Sequence, residues 1–169
     1  MPAFGKTTRI KVVGGTVEFR FKRWDKTELA RGLEHYGEAL DDWSPVFEQF
    51  WPYQKRSIAR NFEAQGRPRK WRRLKPATIR DRRRQGYGPG PILKRSGKLK
   101  RGFLADWGKK YFRISNRARS RKGYPYYWAH QLGARKAHIP KRVMVVFLKQ
   151  DQAQFTKLAR EHVSYKGRR

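Results

Sequence analysis

The alternation of apolar and polar positions is clearest near the N-terminal end. Residues 8–13 and 16–22 are two β-rich runs joined by Gly14-Gly15, a pair that accepts the positive φ angles of a tight hairpin turn. In the second run Val17, Phe19 and Phe21 alternate with Glu18, Arg20 and Lys22, which gives the strand one apolar face. The period then becomes helical. Asp25 and Glu28 have capping-box spacing and Leu29, Leu33, Tyr36 and Leu40 recur at helical intervals, so a helix is expected over 26–40. Ser44-Pro45 offers an N-cap and a first-turn proline for a second helix. Phe47, Trp51, Ile58 and Phe62 mark its stripe, Pro52 is a candidate kink, and Gly66 should end it.

Beyond Gly66 the pattern weakens. Residues 78–85 suit a short basic helix, and Tyr87-Gly88-Pro89-Gly90-Pro91 cannot continue it, so 66–91 is expected as an exposed basic arm or loop. A turn and short helix follow over 92–103, a strand over 111–115 and an aromatic helix over 124–132. Residues 143–148 read as a buried strand, and 150–163, with Phe155, Leu158 and Ala159 on one side, as a closing helix. This order predicts an α+β fold in a single domain over 1–169: a small, mostly antiparallel sheet with an N-terminal hairpin, backed by helices.

Charge divides the chain unevenly. Residues 1–63 hold 11 Lys and Arg against 9 Asp and Glu, and residues 64–169 hold 32 against 4, giving +2 and +28. The total of +30 far exceeds the net charge of about 2 to 8 that suits a small domain's solubility, so the excess points to an anionic partner, nucleic acid or an acidic protein surface. The candidate anion-binding residues cluster as Arg67, Arg69, Lys70, Arg72 and Arg73; Arg80, Arg82, Arg83 and Arg84; Lys94, Arg95, Lys98, Lys100 and Arg101; and Arg119, Arg121 and Lys122. An aromatic content of 14% opposes a disordered tail and indicates a folded domain with a basic coat.

Other chemistry is poorly provided for. With no cysteine there are no disulfides, Cys-based zinc sites or thiol nucleophiles. After residue 63 the only carboxylates are Asp81, Asp106, Asp151 and Glu161, too scattered for a metal nuclease, and His130 and His138 fit no zinc spacing. No catalytic residues, metal ligands or cofactors are therefore expected. Gly5-Lys6-Thr7 imitates the end of a phosphate-binding loop without its first glycine or preceding strand. The longest apolar run, 143–148, is far short of the roughly 20 residues of a membrane span, and 1–15 lacks a signal peptide's apolar stretch, so folding in a cytoplasm is expected. No helix-turn-helix or RNP motif suggests base readout, which leaves backbone contacts.

Four segments carry a resemblance. Trp71, Leu74 and Thr78 have the spacing W-x-x-L-x-x-x-T, Ile92-Leu93-Lys94-Arg95-Ser96-Gly97-Lys98-Leu99 follows I-L-x-x-[ST]-G-x-L, and residues 126–133 are similar to Y-A-x-x-H-Q-x-G. Ile139-Pro140-Lys141-Arg142 then opens a stretch similar to I-P-x-R-x-F-L. Together, across roughly residues 60–160, they resemble the phage virion morphogenesis (tail completion) family. The resemblance implies a non-enzymatic structural protein of the virion at the head–tail junction, assembled in the cytoplasm of a host bacterium. It implies a homo-oligomeric ring, with a hexamer as the first expectation, and portal or adaptor and tail tube or terminator proteins as partners, with DNA in the channel and no membrane. Structural and interface roles then fall to Trp71, Leu74, Thr78, Leu93, Gly97, Leu99, Tyr126, His130, Gln131, Gly133, Pro140 and Arg142. Gly97 and Gly133 read as turn or cap positions, Arg142 as a brace for a carboxylate, and His130 and Gln131 as braces for a backbone turn. The second reading is a general sequence-independent nucleic-acid-binding protein, nucleoid- or RNA-associated, that need not form rings.

Overall fold

In the computed structural model, which describes residues 8–13, 16–21 and 40–166, the N-terminal hairpin is formed by β1 (Thr8–Val13) and β2 (Thr16–Phe21). Its antiparallel register pairs Ile10 with Phe19 and Val12 with Val17 and leaves two residues between Val13 and Thr16. The Gly14-Gly15 turn and residues 26–39 of the helix expected over 26–40 lie outside the described residues. The remaining elements, numbered among the described residues, are α1 (Ser44–Glu63), α2 (Pro76–Arg84), α3 (Lys98–Arg101), β3 (Phe103–Gly108), β4 (Tyr111–Asn116), α4 (Tyr127–Leu132) and α5 (Lys149–Lys166). The four strands form one sheet in the order β1-β2-β4-β3. β2 pairs antiparallel with β4, matching Phe19 to Phe112, and the two residues between β3 and β4 allow only an antiparallel turn. The fold is α+β.

The chain forms two compact units. Unit 1 comprises Met1–Tyr53, Ala105–Ile114 and Lys149–Arg169, and unit 2 comprises Gln54–Leu104 and Ser115–Leu148. In unit 1 the start of α1 is capped by Asp42, whose carboxylate accepts hydrogen bonds from the Ser44 backbone N–H at 2.9 Å and from its hydroxyl. The capping side chain is thus Asp42, two residues before the expected Ser44, and the helix runs on through Pro52. Phe47 and Phe50 of α1 are buried against Phe112 of β4 and Phe155 of α5, with ring centroids 5.4–6.2 Å apart in stacked and edge-on pairs. Such pairs add specific geometry to the burial of large apolar area.

Unit 2 has a second aromatic chain. Phe62 meets Trp71 edge-on at 5.3 Å and Phe103 at 6.0 Å, and Phe103 meets Tyr127 at 5.5 Å. Residues 143–148 are not the strand the apolar run predicts. Met144 and Val145 are buried, but their backbone groups bond to side chains instead of a neighbouring strand. Gln131 Oε1 accepts from the Met144 and Val145 N–H groups at 2.7 and 3.1 Å, and its Nε2 donates to the Val145 carbonyl at 2.9 Å. Asn61 Nδ2 donates to the carbonyls of Val143 and Met144, and Gln54 Nε2 to that of Val146. Gln54 and Asn61 lie with Ser57 on one buried stripe of α1, and the two amides serve this purpose, since buried backbone groups must find partners.

Candidate nucleic-acid interface

Residues 66–91 are fastened to unit 2 rather than free as an arm. Gly66, at φ +111°, makes a turn into which no side chain fits: a Cβ there would lie 2.5 Å from the Arg69 carbonyl oxygen. The turn delivers Trp71, 7% exposed, onto Phe62, with its indole N–H donating to the Val143 carbonyl at 2.9 Å. Arg67 donates from Nη2 to the Ser57 carbonyl and hydroxyl, and Gln65 Oε1 accepts from the Ile92 N–H. On α2, Arg82 is 5% exposed and spends its guanidinium on the carbonyls of Gly90, Pro91 and Lys94 at 3.1–3.3 Å. It belongs to the frame of the loop, whereas its neighbours Arg80, Arg83 and Arg84 are exposed.

With that loop fixed, unit 2 carries a cleft of about 1670 Å³. Its walls take Arg72, Arg73, Lys75 and Arg82 from the Trp71–α2 region, Arg95 and Lys98 from the turn before α3, Arg119 and Arg121 from the loop after β4, and Arg135 and Arg142 after α4. Ten Lys and Arg thus face one carboxylate, Asp81, which accepts a hydrogen bond from Gln85 Nε2. Leu74, Thr78, Leu93, Gly97, Leu99, Tyr126, His130 and Pro140 also line it. Four segments distant in sequence are held in place by short-range devices. Asn116 donates to the Leu99 carbonyl and accepts from the Ala118 N–H, and a two-residue bridge between Ala134 and Ile139 closes the loop bearing Arg135.

Arg142 braces no carboxylate among the described residues. It is 6% exposed and donates from Nε and Nη2 to the Arg72 carbonyl at 3.2 and 3.1 Å, because no described carboxylate is within ion-pair distance. Burial first and the Arg72 charge second lower its pKa from the usual value. His130 packs edge-on to Tyr126, and its carbonyl accepts from the Arg142 N–H at 2.7 Å. Burial first and the Arg142 charge second push its imidazole down to about 4, so the ring is neutral near pH 7. Arg95 lies 5.5 Å over the Tyr87 ring.

Several of the residues expected to bind anions stand outside the cleft. Lys70 donates to the Ala64 carbonyl, Lys100 pairs with Glu63 at 3.3 Å and Arg101 donates to the Ser96 carbonyl. Arg69, Lys94 and Lys122 are exposed elsewhere on the unit. Gln131 is in the core, and Gly133, at φ +84°, backs onto Lys141. Lys75 lay within the basic cluster that the sequence showed, but sequence reasoning missed Arg135 among the cleft's cations, and Gln54, Asn61 and Asn116 as supports. The i, i+3, i+7 spacing of Gln54, Ser57 and Asn61 beside an apolar stripe was the available signal. Among the described residues no cluster of potential ligands could hold a metal ion, and no helix is long and apolar enough to cross a membrane. A family model described as the phage virion morphogenesis family matches residues 24–164, a span that contains the whole cleft. No curated protein and no solved structure matches the chain.

Proposed function

Because the chain belongs to the phage virion morphogenesis family, we propose that it is a non-catalytic structural component of the head–tail junction of a tailed phage, joining the tail to the filled head. The observation that carries this reading is the cationic cleft built from the family-matched segments, in which ten cations face one carboxylate. A junction protein meets the genome in its channel and acidic protein neighbours around it, and such a cleft draws either polyanion through its long-range field. Ring assembly belongs to the same proposal, since a channel around DNA calls for closed symmetry. Portal or adaptor proteins and tail tube or terminator proteins are the neighbours it requires.

Deleting the coding sequence from its phage and imaging the lysate by electron microscopy tests the reading. Filled heads beside separate tails are expected. Joined particles in normal number, or loss of DNA packaging with heads left empty, would overturn it in favour of a nucleic-acid-binding protein without a junction role.

A further inference from the structure

We propose that the unit 2 cleft is a binding site for the phosphate backbone of duplex DNA, anchored by the buried Arg142 and lined by Arg72, Arg95, Arg119, Arg121 and Arg135. The inference deepens the junction reading and rests on it only for where the DNA is met. Three observations carry it. The first is the missing countercharge: a structural ion network alternates signs, whereas this cleft has a single carboxylate. Cations gathered without countercharge are stabilised by an incoming anion.

The second is the kind of cation and its state of use. Eight of the ten are arginine, whose fork matches phosphate oxygens in pairs. Arg142 is held rigid by two bonds to the Arg72 carbonyl, while its Nη1 has no hydrogen-bond partner among the described residues. A guanidinium fixed in this way loses little rotamer freedom on binding. The third is charge density. Duplex DNA presents one negative charge per about 1.7 Å of axis, whereas even an all-acidic extended peptide presents one per about 3.3 Å. An excess of nine positive charges in one cleft matches the denser polyanion.

The test uses the purified full-length chain and fluorescence anisotropy of a labelled random-sequence duplex, titrated at several salt concentrations between about 50 and about 200 mM. The variant Arg95→Gln/Arg119→Gln/Arg121→Gln removes three exposed cleft charges. The control Lys55→Gln/Arg56→Gln/Lys149→Gln removes three exposed charges outside the cleft. We expect the cleft variant to reduce the slope of log affinity against log salt by about 2 to 3, and the control by less than about 1. Equal losses in both variants would make the binding a property of the overall field and overturn the proposal. So would tighter binding of a polyglutamate peptide or of single-stranded DNA than of the duplex, or no binding at the lowest salt. If the triple variant melts below the wild type, Arg135→Gln, which alters one exposed side chain, gives the same readout with a slope change of about 1. Duplex binding that fails in solution while the deletion still separates heads from tails refutes this inference and leaves the junction reading standing.

Discussion

In unit 1 the core is closed by Phe47, Phe50, Phe112 and Phe155, rings that need nothing from their partners but shape. In unit 2 the aromatic chain of Phe62, Trp71, Phe103 and Tyr127 is joined by a set of buried amides, Gln54, Asn61 and Gln131, whose work is to satisfy backbone that has no strand or helix to bond. The amides follow from the cleft. A surface that gathers segments ending at Arg72, Arg95, Arg121 and Arg142 must use irregular backbone, and buried irregular backbone is stable only where side chains complete its hydrogen bonds. Unit 1 should tolerate apolar exchanges that keep volume, whereas unit 2 should be intolerant of changes of polarity even at constant volume.

The largest expected effects test that contrast directly. Phe47→Ala should destabilise the chain by about 3 to 5 kcal/mol, while Phe47→Leu, which keeps most of the volume, should cost only about 1.5 kcal/mol. Gln131→Met keeps volume too, yet it leaves the Met144 and Val145 N–H groups and the Val145 carbonyl without their partners. It should therefore cost at least about 3 kcal/mol in urea unfolding. A Gln131→Met cost below that of Phe47→Leu would erase the distinction between the units.

A middle-sized effect separates two adjacent arginines of α2. Arg82→Ala should lower stability by about 2 kcal/mol by releasing three loop carbonyls, and Arg83→Ala by less than about 0.5 kcal/mol, as for an exposed side chain. Thermal melts of the two single variants decide it. Neutralising Arg80, Arg82, Arg83 and Arg84 together would confuse folding with anion binding.

The smallest effect is a pH dependence. The His130 pKa in the folded chain, about 4, lies below its ordinary 6.5, so the unfolded state binds the proton more readily. Stability from the neutral ring is present above pH 6.5 and is lost as pH falls toward 4. The drop in unfolding free energy between pH 7 and pH 5 should accordingly be smaller in His130→Gln than in the wild type. An equal drop in both would show that His130 takes its proton in the folded cleft as easily as outside it.

The amino-acid sequence by itself determined the elements with a clean local period. The β1–β2 hairpin, α1 from Ser44, β4 and α5 are where alternation or helical spacing placed them, because a side chain's face is set by its neighbours two to four positions away. The strand β3 escaped notice because Gly102 and Gly108 bracket a run, Phe103-Leu104-Ala105-Asp106-Trp107, that does not alternate. The overloaded positive charge after residue 63 was also plain in composition. What only the tertiary structure decided is where hydrogen-bond partners lie when they are far apart along the chain. Residues 143–148 have a strand's composition but receive amides from Asn61 and Gln131 in place of a neighbouring strand, and Trp71 closes on the Val143 carbonyl 72 positions away. Arg82 and Arg83 are the same residue type in one basic run, yet the return of the Gly90–Pro91 loop buries the first and leaves the second in solvent. Local periodicity carries no information about such returns, so the sequence disclosed the charge and the folding of the chain disclosed which charges share a cleft.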